Sequence, residues 1–435
     1  MKKVLIITYY WPPGGGAGVQ RWLKFVKYLR QFGWEPIVYT ALNGEMPVVD
    51  NSLEKDVPHG VRVIREPIWE PYSIYKKFIG RKKGEKINAS FLNENKKGGI
   101  AEKISVWIRG NFFIPDARKF WVKPSVKKLL QLIRTEEIGY VISSGPPHSM
   151  HLIALALKRE IAGLRWVADF RDPWTNIDFY EKLMLTQRAD RLHHRLEREV
   201  LLNADLVISV GETMSRELAD IYRDAGGTEA GKFRVITNGY DDDDIERGDL
   251  IRDSKFSIAH VGTLVKDRNP AVLWKVLSRL VKTNLRFREK LEIKLVGKVD
   301  FFVKEEIRRH GLVKYTRMID YLPHSEVIAE QQRSKLLLLL VNNTRNARGI
   351  LTGKLFEYMA SGSPILAIGP RDGDLAGILH ETNTGLVSGF DDEAALEKNI
   401  LAFFEGSTLT RNEAMVARYS RKELTRKLSA LLDSM

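Results

Sequence analysis

Short apolar runs alternate along the chain with stretches whose apolar residues recur every three or four positions. The runs Val4–Thr8, Pro36–Thr40, Val61–Arg65, Tyr140–Ser143, Trp166–Phe170, Leu206–Val210 and Arg234–Thr237 read as strands with little polar interruption. Such runs are expected of a parallel sheet covered on both faces. Between them, Val19, Trp22, Leu23, Val26 and Leu29 share one helical face that ends near Gly33. Further helices are expected over about 149–161 and 186–202. A second series repeats the alternation: Phe256–Val261, Ile293–Val296, Lys335–Val341, Ile365–Ile368 and Gly385–Val387 read as strands. Pro270 marks a helix start, and Ser420 with Glu423 has capping-box spacing ahead of a last helix to Leu432.

This rhythm predicts an α/β protein of two doubly wound, Rossmann-like domains facing each other across a cleft. The expected first domain is 1–240, followed by a polar linker at 241–254 and a second domain at 255–408. The segment 409–435 is expected to pack back on the first domain. A length of 435 residues fits two cores better than one. The linker carries Asp241 to Asp244, read as solvated charge in preference to a metal site.

One stretch breaks the rhythm. Residues 66–130 form a basic, aromatic insertion, with a disordered tip expected near Asn93–Gly99. From Lys76 to Arg134 there are 16 Lys/Arg against 4 Asp/Glu, a local excess of 12 in a chain whose net charge is +14. Such a patch suits an anionic membrane surface, polyphosphate or nucleic acid. Nucleic-acid binding finds no motif to support it. There is no cysteine, which removes disulfides, thiolate metal sites and a cysteine nucleophile. The apolar start Val4–Ile7 is too short for a signal-peptide core, and Leu336–Leu340 is too short to span a bilayer. The expected location is the cytoplasm, with peripheral attachment to the inner membrane face as an option.

In doubly wound sheets, ligands bind beyond the carboxyl ends of the strands. The loops there are 11–18, 143–151, 169–174, 262–269 and 349–357. Gly14-Gly15-Gly16-Ala17-Gly18 lets backbone approach a ligand closely. It is not a GxGxxG fingerprint, and no acid ends the second strand, so a dinucleotide reading is disfavoured. His148 and His151 flank a helix start, and Asp169, Arg171, Asp172 and Trp174 follow a strand. Arg268 stands in a loop before a helix. Thr352, Gly353, Lys354 and Glu357 form a small-residue turn with a lysine in the first helical turn and an acid on the same side. That combination outlines a half-site for a nucleotide: helix N-terminus and lysine for phosphate, acid for a ribose diol.

Together GGGAG, SGPPH, DFRDPW, NGYD, HVGTLVKDRNP and TGKLFEYMASGSPILAIG resemble the GT-B glycosyltransferases of the large retaining family 4. The resemblance covers nearly the whole chain. It implies a nucleotide-sugar donor, UDP- or another NDP-sugar, held mainly by the second domain, and no further cofactor. By that likeness Glu357 binds the ribose, while Lys354 and Arg268 bind the diphosphate along with Thr263, Thr352 and Gly353. Gly15, Gly16, His148 and Asp169 face the sugar and a glycan or lipid-linked acceptor. His148, Asp169, Arg268 and Lys354 are the expected catalytic set. No metal is implied, since two cations can neutralise the diphosphate. The family's Glu-x7-Glu pair is incomplete, with Gly349 in place of the first acid; Thr263 replaces the usual phosphate-binding Arg, and Arg268 the usual Lys. The expected activity is sugar transfer with retention in surface polysaccharide or glycolipid synthesis. The alternatives are an inactive sugar-nucleotide-binding scaffold and a nucleotide-sugar epimerase on the same fold.

Overall fold

The structure, a computed structural model, describes residues 1–46, 48–71, 100–245, 251–320 and 322–435. The chain divides into two compact units, residues 1–237 with 424–435, and residues 238–423. The expected tip at Asn93–Gly99 lies outside the described residues.

In the first unit the described strands are β1 (Lys2–Ile7), β2 (Trp34–Ala41), β3 (Arg62–Glu66), β4 (Tyr140–Gly145), β5 (Arg165–Phe170), β6 (Leu206–Ser209) and β7 (Phe233–Val235). They pair in parallel in the order β3-β2-β1-β4-β5-β6-β7. Alternation along each strand feeds two separate cores. Leu5, Ile7 and Val141 face one side with Trp121 and Met150. Val4, Ile6 and Ile142 face the other, with Trp22 and Val26 of the helix Ala17–Leu29. Leu424, Leu428 and Leu432 of the last helix, spaced at i and i+4, complete this second core.

The second unit holds β8 (Phe256–Val261), β9 (Leu291–Val296), β10 (Thr316–Ile319), β11 (Leu336–Leu340), β12 (Ile365–Ile368) and β13 (Gly385–Ser388). Their order is β10-β9-β8-β11-β12-β13, all parallel. Every residue of β8 and of β11 is buried, as a central strand between two helical layers requires. In both sheets the order reverses beside the first strand, at β1/β4 and at β8/β11. The crevice outside these carboxyl ends is where such sheets receive ligands.

Two features differ from the sequence expectation. β10 was not anticipated, because its residues TRMI are partly exposed at a sheet edge and show no apolar run. The basic insertion holds two helices among its described residues, Ile100–Phe112 and Lys119–Glu136, the second reaching past the expected limit at 130.

Candidate functional site

The polar residues of the second unit gather at the β8/β11 switch. β8 ends on Gly262, whose φ of +111° lies in the left-handed region that favours glycine. A Cβ there would stand 2.5 Å from Lys354 Nζ, so only glycine lets the lysine rest on the strand end. After β8 a short turn, Lys266–Arg268, brings Arg268 back toward the sheet. Its Nε donates to Asn342 Oδ1 at 2.7 Å, which ties the loop after β8 to the loop after β11.

The helix Gly353–Ser361 follows β11. Thr352 caps it, its hydroxyl accepting from the Lys354 backbone N–H at 3.2 Å. Tyr358 is fully buried, and its hydroxyl accepts from the Val261 N–H at 3.0 Å. This bond pins the helix to the end of β8 and so sets where Lys354 and Glu357 stand. Burial, then the nearby Arg268 charge, depress Lys354 to about 8, with Glu357 opposing the shift. His260, buried in β8 and bonded to the Leu338 carbonyl, is pushed down to about 3 by burial and by Lys354, so it is neutral. The site is a concentration of positive charge on a glycine-floored strand end, suited to an anion.

The first unit uses its polar residues differently. Asp169 is fully buried. Arg21 Nη2 meets its Oδ1 at 2.8 Å, and Oδ2 accepts from Trp22 Nε1 at 2.7 Å and from Ser144 Oγ at 2.8 Å. Arg21 also donates to the Thr237 and Ile236 carbonyls, both at 2.9 Å. The expectation that Asp169 meets sugar or acceptor does not fit this geometry, because its carboxylate is saturated by interior donors. It joins β5, β4, the first helix and the end of β7.

His148 and His151 lie either side of Gly145, where a Cβ would stand 2.5 Å from His151 Nε2 and 3.0 Å from His148 Nδ1. His148 stacks on Trp174 at 4.5 Å between ring centroids, and its buried Nδ1 has no hydrogen-bond partner. His151 Nδ1 pairs with Ser143 Oγ at 2.8 Å. Burial holds both imidazoles neutral, His148 well below its ordinary value and His151 down to about 3. Trp174 Nε1 in turn donates to His193 Nδ1 at 3.1 Å. One turn along the same helix, buried Glu197 accepts from Thr175 Oγ1 at 2.6 Å and is raised by burial to about 7.

The glycine loop is braced by its neighbours. Gly15 N–H donates to the Val48 carbonyl at 2.9 Å, and Gly16, at φ +90°, precedes the helix Ala17–Leu29. Arg171 donates from Nη1 to the Gly18 carbonyl at 3.0 Å and from Nη2 to the Pro146 carbonyl, linking this loop to the SGPPH turn.

The structure therefore brings Arg268, Lys354 and Glu357 together with Gly262, and places Thr263, Thr352 and Gly353 on the same loops. It groups Gly15, Gly16 and His148 around the β1/β4 switch. Gly349 closes a short turn, Ala347–Gly349, and supplies no side chain. Sequence reasoning missed Asn342, Tyr358 and Arg21. Asn342 follows the leucine strand, which was a usable signal; Tyr358 and Arg21 sat in helix patterns that give no hint of their partners.

No curated protein matches the sequence. Solved structures of similar fold include a glycosyltransferase from Rickettsia africae, 14% identical, with TM-score 0.63 and coverage of 100% of this chain and 98% of that one. An Anabaena protein, HepE in complex with UDP and glucose, is 14% identical with TM-score 0.60 over 100% of both chains. A third, described as a UDP-N-acetylglucosamine 2-epimerase from Listeria monocytogenes, is 13% identical with TM-score 0.55, covering 100% of this chain and 96% of that one. The family "Glycosyltransferase Family 4" matches residues 92–244, and "Glycosyl transferases group 1" matches 241–423. With these two adjoining matches and a GT-B architecture in both sheets, the chain belongs to the group 1 glycosyltransferases and is a glycosyltransferase enzyme.

Proposed function

We propose that the chain transfers a hexose-type sugar, with retention, from a UDP- or other nucleoside-diphosphate sugar to a glycan or lipid-linked acceptor in surface polysaccharide or glycolipid synthesis. The observation that carries this reading is Lys354 seated on Gly262 beside Arg268. Two neighbouring cations repel each other, and a diphosphate relieves that repulsion. The Arg268 fork takes two phosphate oxygens, Lys354 adds a point charge, and Glu357 accepts from the ribose hydroxyls.

In the reaction, the bond from the anomeric carbon to the diphosphate oxygen breaks as the acceptor oxygen bonds to that carbon on the same face. The acceptor proton passes to the departing phosphate. Negative charge grows on the leaving diphosphate, and Arg268 and Lys354 stabilise it where it forms. In the first unit the Gly15 N–H is taken by the Val48 carbonyl, while Gly16 offers its backbone N–H group, and His148 an unpaired ring nitrogen, to the acceptor.

A thermal-shift panel of UDP-, GDP-, ADP- and CMP-sugars identifies the donor by mass-action stabilisation. Nucleotide release that requires an acceptor is the expected result. Conversion of the donor sugar without an acceptor would indicate an epimerase. The glycine at 349 favours one second reading, a binding scaffold, which donor binding with no release under any acceptor would establish.

We propose also that the basic insertion docks the enzyme on an anionic membrane face. Among its described residues Trp69, Trp107, Phe112 and Phe120 are exposed, at 56%, 40%, 58% and 42%. Lys119 Nζ lies 5.2 Å from the Phe120 ring centroid, combining charge with aromatic surface. Among the described residues no helix is long and apolar enough to cross a membrane, so attachment through this surface would be interfacial. Co-sedimentation with anionic vesicles should fall with salt and with Trp107→Ala and Phe112→Ala. Equal sedimentation with neutral vesicles would contradict it.

A further inference from the structure

A cavity of about 560 Å³ lies in the second unit, away from the β8/β11 switch. Its walls include Phe256, the first residue of β8, and Lys335, Pro364 and Thr384, which directly precede β11, β12 and β13. It therefore opens at the amino ends of the strands, whereas Gly262 and Lys354 stand at the carboxyl ends. A six-residue strand is about 20 Å long, so a ligand in one place does not touch the other.

Six cations line the cavity: Arg252, Lys255, Arg286, Lys290, Lys335 and Arg411. No aspartate or glutamate does. Arg411 pairs with Glu413 at 3.0 Å, and Arg252 donates to the Ser334 and Gly362 carbonyls at 3.5 and 3.3 Å. Arg286 lies over the Phe404 ring, 5.4 Å from its centroid. Lys255, Lys290 and Lys335 have no ion-pair partner among the described residues. Elsewhere in the same unit several cations do have acidic partners, Lys275 and Arg279 with Glu393, and Lys294 with Asp253 and Glu330. A concave wall that gathers six like charges, with an acidic partner for Arg411 alone among the described residues, holds them at an electrostatic cost, and focuses field on whatever anion enters. Phe403, Pro364 and Leu409 add apolar wall for an uncharged body.

We propose that this cavity is a second anion site, distinct from the nucleotide site, that takes a small molecule carrying phosphate or diphosphate on a sugar-sized or apolar body. Inorganic pyrophosphate serves as the probe in calorimetric titration of the full chain. Arg268→Ala with Lys354→Ala empties the β8/β11 switch of its cations, and this variant should still bind pyrophosphate. Adding Lys290→Ala and Lys335→Ala should weaken the remaining binding tenfold or more. Lys290→Glu alone, at an exposed position, gives the same direction if the combined variant folds poorly.

Vesicles of phosphatidic acid separate two sources of the phosphate. Capture that Lys290→Ala and Lys335→Ala abolish would assign a lipid headgroup. Pyrophosphate binding without capture would assign a soluble metabolite. Failure of the Arg268→Ala, Lys354→Ala variant to bind pyrophosphate, or binding indifferent to the Lys290 and Lys335 changes, overturns the proposal. Because the readout omits the switch cations, it holds or fails independently of the donor assignment.

Discussion

The two units carry the same doubly wound sheet, yet they treat charge at their switch points in opposite ways. In the first, Asp169 and Arg21 are both fully buried and neutralise each other, with every carboxylate oxygen engaged. In the second, Lys354 is half-buried and stands beside another cation, and burial first and that charge second lower its pKa. One arrangement makes a joint. On the proposed reading the other makes a site, because two neighbouring like charges favour an anionic ligand. A charged residue near the carboxyl ends of two related sheets can thus serve stability or chemistry, and what decides it is whether interior partners have consumed the side chain.

The largest effect expected from this contrast is at the joint. Asp169→Ala leaves Arg21 buried without its partner, and should cost the first unit about 3–5 kcal/mol. Urea unfolding measures it. A variant of unchanged stability with lost turnover would return Asp169 to the reaction.

At the site the expected loss is of rate. Lys354→Ala should cut turnover about 100-fold or more, about 2.7 kcal/mol, with the fold intact. Turnover near that of the unaltered enzyme would remove Lys354 from the leaving-group role.

This division between joint and site was only partly legible in the sequence. The parallel sheets were, because buried strands such as Leu336–Leu340 are continuous apolar runs. The edge strand β10 was not, since half-exposed residues carry no such pattern. Lys354, Glu357 and Arg268 were legible as residue types at loop and helix starts, and the structure gathers them near one strand end. Asp169 had the same credentials: a carboxylate just where a strand ends. Its saturation depends on Arg21, 148 positions earlier, and on Trp22 and Ser144. Only the folded structure brings those donors together. Asn342 and Tyr358 were hidden for the same reason.

Glu197 sharpens the comparison, as a buried carboxyl of the first unit with no ion-pair partner among the described residues. Its folded value, about 7, lies above the ordinary 4.5. The folded state therefore favours the protonated form. Stability from this group is complete below about pH 4.5 and is lost as pH rises to about 7. Glu197→Gln should raise stability by about 3 kcal/mol at pH 8 and by nothing near pH 4.5. Thermal unfolding at the two pH values measures it; equal shifts at both would contradict the assignment.

The smallest effect concerns Lys354 itself. Its depressed value means the free enzyme begins to lose this charge at about pH 8, so a diphosphate bound above that pH must bring a proton with it. UDP affinity should fall by up to about tenfold per pH unit above that point. The fold responds with the opposite sign: stability rises from about pH 8 toward 10.5 as the cost of the buried charge disappears. Calorimetry in two buffers of different ionisation enthalpy would register the proton uptake. A flat affinity profile from pH 7 to 10 would place the lysine away from the phosphates.

The central claim is that the second unit binds the nucleoside diphosphate through Lys354 on its glycine floor. Calorimetric titration of UDP into the unaltered chain and into Lys354→Met at pH 7 tests it most directly. Methionine keeps the unbranched stem and removes the charge, so the account predicts a folded variant, no less stable than the parent, whose UDP affinity is reduced tenfold or more. Equal affinity of the two proteins for UDP would contradict it.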